Sequence, residues 1–157
     1  MSETQPKKLV KGKDYIGVGV GAIIFNDEGR VFLNKRGKNS RNESGKWEFP
    51  GGGVRFGERL ADALKREIRE EFDIEIELLE QLITEDHIIE DEGQHWVSPT
   101  FIAKHISGVP KIMEPDKCEA FKWIELSEIG GEILTIITQA DYESYKDKYG
   151  FKLPVGY

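Results

Sequence analysis

Between Pro50 and Phe72 the chain reads PGGGVRFGERLADALKREIREEF, three consecutive glycines followed by a segment with helical spacing. This stretch constrains the fold more than any other, because few arrangements accept a bare backbone run directly ahead of a charged helix. With a step of about 100° per residue and Glu67 at zero, Leu60, Leu64, Ile68, Ala61 and Phe72 fall between about 20° and 140°. Glu67, Glu70 and Glu71 occupy the adjoining sector from about −60° to 40°, while Asp62, Lys65 and Arg69 lie on the far side. The carboxylates therefore border the apolar stripe. Glutamates spaced i, i+3 and i+4 among arginines are also what a solvated, salt-bridged helix face looks like. What separates the two readings is whether a cation relieves the crowding.

Three glutamates on one helix edge supply hard oxygen donors, the kind that Mg²⁺ or Mn²⁺ selects. The glycines at 51–53 let backbone N–H groups approach an anion, and the helix N-terminus behind them favours negative charge. Magnesium commonly combines carboxylates with waters and substrate phosphates, so the pairing points to metal-assisted hydrolysis at phosphorus. The segment GGGVRFGE lacks the Gly-Lys-Ser/Thr ending of a P-loop.

Around this centre the chain reads as one domain. Residues 1–14 are polar and lysine-bearing and are expected to form a mobile tail, with a single domain over 15–157. YIGVGVGAIIF alternates glycine with apolar residues, as a strand with one packed and one bare face would. NDEG turns it into a second strand at RVFLNKR, a hairpin. GKNSRNESGK is a loop, WEF a short strand, and the glycines a turn. DIEIELLEQL, LITEDHIIE and HWVSPTFIAKHI alternate like three strands, the last two joined by DEGQ; CEAFKWIEL is a further strand and GEILTIITQADYESYKDKYG a C-terminal helix. One α+β domain with a mixed sheet accounts for all of it.

The 157 residues carry a net charge of −7 and one cysteine, Cys118. No intrachain disulfide can form, and an acidic chain is a poor partner for a nucleic-acid polymer. No apolar run approaches the roughly 20 residues of a bilayer helix, and the N-terminus lacks a signal-peptide centre, so no membrane partner and a cytoplasmic location are expected. His87, His95, His105 and Cys118 show no zinc-ligand spacing. Trp96 and Phe101 suit core packing, stacking on a base, or a subunit interface.

Written from Gly52, the central stretch runs Gly, five residues, Glu58, seven residues, Arg66-Glu67-Ile68, one residue, Glu70-Glu71, one residue, Asp73-Ile74. It resembles the Nudix box, G-x5-E-x7-R-E-U-x-E-E-x-G-U with U aliphatic, at every defined position but one. Asp73 stands where that family has glycine; aspartate tolerates a left-handed cap better than most residues, so a costlier helix end and an intact site are expected. Over roughly residues 15–130 the chain is similar to compact MutT-like nucleotide pyrophosphatases, including the branch acting on oxidised or thio-substituted purine nucleoside triphosphates.

The resemblance implies the Nudix α/β/α sandwich around a mixed sheet, and hydrolysis of a nucleoside diphosphate linked to another group, with Mg²⁺ as cofactor and Mn²⁺ as substitute. It makes Glu67, Glu70 and Glu71 metal ligands, with Gly51, Gly52 and Gly53 lining the phosphate and metal side. Arg66 would orient the glutamates and Glu58 support the loop-helix junction. Glu119 is the candidate extra ligand or base outside the box, and Arg36 a candidate phosphate contact. The expected substrate is a purine nucleoside triphosphate; ADP-ribose, a nucleotide sugar or a dinucleotide is the alternative, and a non-catalytic nucleotide sensor a third. A homodimer is compatible with the resemblance.

Overall fold

The computed structural model describes residues 4–154 and 156–157. Among these, the chain forms β1 (Gly17–Phe25), β2 (Val31–Arg36), β3 (Trp47–Glu48), β4 (Gly51–Gly53), α1 (Leu60–Phe72), β5 (Glu75–Ile89), β6 (Gln94–Ser107), β7 (Cys118–Ile124) and α2 (Ile136–Tyr149). The sheet runs β3-β2-β1-β6-β5, with β4 pairing β1 and β7 pairing β2. Only β1 with β6 is parallel among the named strand pairs, so the sheet is mixed.

Both faces of β1 are covered beyond Gly21, because Ala22, Ile23, Ile24 and Phe25 are all fully buried. Val20, Ala22 and Ile24 pack with Leu64, Ile68 and Phe72 of α1. Ile23 and Phe25 pack with Tyr142 and Tyr145 of α2. The alternation of side chains across the strand thus feeds two cores, the α/β/α layering. The expectation of one bare face holds only at Gly19 and Gly21, since Gly17 is covered by the Trp96 ring. Asn26 turns the chain into β2 by accepting the Glu28 and Arg30 N–H groups on its side-chain oxygen, both at 3.0 Å.

Four further readings are corrected. The three glycines form a strand, with Gly51 opposite Gly21 and Gly53 opposite Gly19. The two strands expected over 73–90 are a single one, β5, whose register shifts at Leu78/Glu80 and Gln81/Ile83 break its alternation in mid-course. The C-terminal helix starts at Ile136, where the Thr135 side chain accepts the Thr138 N–H; residues 126–131 form a 3₁₀ segment before it. Of the tail, residues 1–3 lie outside the described residues, whereas Lys11 bridges to Tyr15 and the Gly12 carbonyl accepts from His95 N–H at 2.8 Å.

The helix α1 ends as its sequence anticipates. Asp73 sits in the left-handed region at φ 55°, ψ 40°, its N–H bonded to the Arg69 carbonyl, and its carboxylate lies 3.1 Å from Lys111. Among the described residues no helix is long and apolar enough to cross a membrane.

Candidate active site

The side of α1 that carries Glu67 and Glu71 borders protein, with Glu70 exposed at its edge. Ala63, in the same sector as Glu67 and Glu70, is fully buried. What it faces is β4: a methyl group placed on Gly52 would stand 2.2 Å from the Glu67 carboxyl carbon. Only a residue without a side chain leaves that carboxylate its place. Gly51 is required for a different reason, since its methyl would meet the Val20 carbonyl oxygen at 2.0 Å.

Arg66 ties the assembly together. Its Nε and Nη2 donate to Glu58 at 2.6 and 2.8 Å, its Nη1 to Glu67 at 2.8 Å and to Glu70 at 3.3 Å, and its Nη2 also to the Gly53 carbonyl at 3.0 Å. A planar, five-donor guanidinium is suited to such a junction. Glu58 accepts the Arg55 N–H at 3.1 Å as well, and these bonds, Arg66 first, hold its carboxyl down at about 2.

The carboxylates differ in environment. Glu67 is largely covered, Glu70 is exposed at the rim, and Glu71 is turned inward. Burial first, then the negative charges of Glu67, Glu48 and Glu114, push the Glu71 carboxyl well above its usual range, with Lys117 opposing. Glu48 is also raised by burial, against its pairing with Arg36.

Among the described residues no three acidic, histidine or cysteine side chains already converge as a metal cage. The donor set nevertheless fits a hard divalent cation: oxygen ligands, an excess of negative charge, and oxygens left clear of Arg66 on both Glu67 and Glu70. A cation there would be held by Glu67, Glu70 and Glu71.

Glu67, Glu71 and Glu48 line a cleft of about 510 Å³, together with Gly19, Gly21, Gly51, Gly52 and Gly53. That volume is in the range of small-molecule sites. Two expected residues fall differently. Arg36 lines the cleft, but its Nη1 is engaged with both Glu48 oxygens at 3.0 and 2.8 Å and its Nε with the Asn42 carbonyl, which makes it a brace rather than a free phosphate cation. Glu119 is exposed, 3.8 Å from Lys35, and is not among the cleft-lining residues. Cys118 beside it, with Glu114 and Lys117, lines the cleft instead, since neighbours on a strand point to opposite faces.

Lys11 and Asp141, both in the cleft lining, escaped the sequence reading, whereas Trp96 and Phe101 were singled out by it. Lys11 reaches in from the segment expected to be tail, its Nζ donating to the Val54 carbonyl at 2.5 Å; burial, then Arg41, lowers its pKa. Trp96 is buried and lines the cleft, packed on Gly12 and Gly17 with the Arg41 guanidinium 4.6 Å from its ring centre. Phe101 belongs to the α1 core. Asp141, near the middle of α2, is 1% exposed and also lines the cleft. Neither Lys11 nor Asp141 carried a periodic or motif signal.

Comparison with known proteins agrees with this geometry. The NUDIX domain family matches residues 16–147. The chain is 39% identical to the MutT NUDIX hydrolase of Burkholderia pseudomallei, with a TM-score of 0.75 over 83% of this chain and 98% of that one. It is 32% identical over 106 residues to an 8-oxo-dGDP phosphatase of Danio rerio, covering 68% of this chain and 30% of that protein. A 53-residue segment is 49% identical to an RNA pyrophosphohydrolase of Acinetobacter baylyi, covering 33% of this chain and 28% of that one. The chain thus spans under a third of the length of these two curated relatives. A mixed sheet between two helices, with a box of glutamates set against a glycine strand, defines a Nudix domain. The chain belongs to the Nudix family, and its structural relatives are MutT-like.

Proposed function

We propose that the protein is a Mg²⁺-dependent pyrophosphohydrolase that cleaves a purine nucleoside triphosphate, oxidised purines included, to the monophosphate and pyrophosphate. The observation that carries this reading is the contact of Glu67 with Gly52, which sets a box carboxylate beside a backbone able to meet phosphate oxygens, in the lining of a nucleotide-sized cleft.

The residues divide the work. Gly51 to Gly53 bring the backbone close to the phosphate chain, and Arg66 fixes Glu67 and Glu70 in orientation. A carboxylate of the box, or Glu114 or Glu48 in the cleft, accepts the proton of the attacking water. The bound divalent cation supplies charge neutralisation on the phosphate oxygens. Lys11 and Arg55, which also line the cleft, add positive charge on the phosphate side.

A second reading has one specific support, the phosphatase name of the Danio rerio relative, and takes a nucleoside diphosphate as substrate. A panel of nucleoside triphosphates, diphosphates, ADP-ribose and dinucleotides with Mg²⁺ and Mn²⁺, scored separately for phosphate and pyrophosphate, separates the readings. Pyrophosphate release from triphosphates supports the first. Phosphate release confined to diphosphates supports the second, and no metal-dependent turnover of any member overturns both.

A further inference from the structure

Arg36, the cation expected to meet substrate phosphate, is engaged by Glu48. Two other cations in the cleft lining, Lys11 and Arg41, make no ion pair among the described residues. Both stand against one ring: the Arg41 guanidinium lies 4.6 Å and the Lys11 ammonium 5.8 Å from the centre of Trp96. The two charges therefore share one corner of the cleft. Like charges held together oppose each other until an anion joins them, and the opposition is felt at Lys11, whose pKa is lowered by burial and then by Arg41.

The backbone under each cation is fixed. Lys11 belongs to a tight loop in which the Gly12 N–H donates to the Tyr15 carbonyl and the Asp14 N–H to the Val10 carbonyl, both at 2.8 Å. Its Nζ lies 3.2 Å from the point where a methyl on Gly53 would stand, against the glycine strand. Arg41 sits on a strap, residues 39–43, every one of which lines the cleft. Gln94 of β6 holds the middle of the strap, donating to the Arg41 carbonyl at 3.1 Å and accepting from Asn42 Nδ2 at 3.2 Å and from Trp96 Nε1 at 2.9 Å. Glu43 holds its end. That carboxylate is 3.1 Å from His87 Nε2 and accepts the Ile136 N–H at the start of α2 at 3.0 Å. Glu43 itself takes a left-handed conformation, φ 46°, which a residue with a side chain keeps only where its surroundings over-determine it.

Building on the nucleotide reading of the cleft, we propose that Lys11 and Arg41 clamp the terminal phosphates of the substrate, the part that leaves as pyrophosphate, and so make the protein prefer a nucleoside triphosphate to a diphosphate. A guanidinium presents paired donors that match phosphate oxygens, and an ammonium adds a mobile point charge beside it. Glu67 is among the charges felt at Lys11, so the clamp adjoins the carboxylates that would hold the metal. A diphosphate, one phosphate shorter beyond the cleaved bond, reaches fewer of these donors. Glu43 acts as a positioning residue, since it fixes the strap that carries Arg41.

The test is calorimetric titration of the full-length protein with inorganic pyrophosphate and orthophosphate without metal, for the wild type, Lys11→Gln, Arg41→Gln and Glu43→Gln. The wild type binds pyrophosphate more tightly than orthophosphate, and each cation variant weakens pyrophosphate binding by about 10- to 100-fold, the range of a lost hydrogen bond to a charged group. Glu43→Gln removes a negative charge from the cleft lining, so charge alone would strengthen pyrophosphate binding; a loosened strap weakens it, and weakening is the expected result. With Mg²⁺, Arg41→Gln raises KM for a nucleoside triphosphate more than for the diphosphate and leaves kcat near the wild-type value. Wild-type pyrophosphate binding no tighter than that of orthophosphate, unchanged pyrophosphate affinity in either cation variant, stronger binding in Glu43→Gln, or an equal rise in KM for both nucleotides overturns the clamp. Arg41 is exposed, so its variant folds and decides the matter even where Glu43→Gln does not. Because the titration needs neither metal nor turnover, a protein that hydrolyses no nucleotide would fail the functional reading while leaving the clamp measurable.

Discussion

Replacing Gly52 with alanine separates catalysis from folding in this structure. The new methyl would lie 2.2 Å from Cδ, 2.3 Å from Oε2 and 2.6 Å from Cγ of Glu67. Carbon atoms in contact sit about 3.5–4.0 Å apart, so the carboxylate must retreat by roughly 1.5 Å. That displacement breaks the 2.8 Å bond from Arg66 to Glu67 and moves a metal-binding carboxylate. A misplacement near 1 Å costs about 10²-fold in rate. Stability should change little, because the obstructing atoms are the end of a flexible side chain and alanine in a strand regains about 0.5–1 kcal/mol relative to glycine. Gly51→Ala is the contrasting variant: its methyl meets the Val20 backbone at 2.0 Å, which cannot swing away, so that variant loses stability first. Mg²⁺-dependent product release read beside thermal melting distinguishes the two. Wild-type turnover in Gly52→Ala would refute the argument that the glycine exists to seat Glu67.

Three other outcomes follow from the same structure. At Asp73, held at φ 55°, Asp73→Ala should be less stable than Asp73→Gly by about 1 kcal/mol, the cost of a Cβ in the left-handed region, measured by denaturant unfolding. Glu58, held at about 2 against an unfolded value near 4.5, contributes stability that is complete above 4.5 and is lost as pH falls toward 2; Glu58→Gln should flatten the unfolding curve in that window. Cys118, raised by burial to about 11, stays a thiol at neutral pH and should react with an alkylating reagent far more slowly than a free cysteine does.

The α1 stripe and its bordering carboxylates were legible because a helix repeats its pattern over 13 residues. The glycine run was legible as a place of close approach, though not as a strand, since its pairing with β1 is a long-range fact. The single β5 read as two because bulges reset the alternation by which a strand is recognised. Asp141 stayed hidden: α2 carries charged residues around much of its circumference, and nothing local marks the one that is buried. Lys11 was lost in a polar stretch that composition cannot distinguish from a free end. Glu119 and Glu114 show the limit most plainly, for only the facing of β7 and the path of the preceding loop decide which of them reaches the cleft.

If the box glutamates hold a catalytic metal for phosphoanhydride hydrolysis, Glu70→Gln removes one of its ligands. Glu70 is exposed at the rim and the substitution conserves size, so the fold should survive intact. Pyrophosphate release from a nucleoside triphosphate with Mg²⁺ should fall by about 10²-fold or more, the scale set by losing a single electrostatic group in a catalytic site. Near-normal Mg²⁺-dependent release by the folded variant would mean that Glu70 holds no catalytic metal.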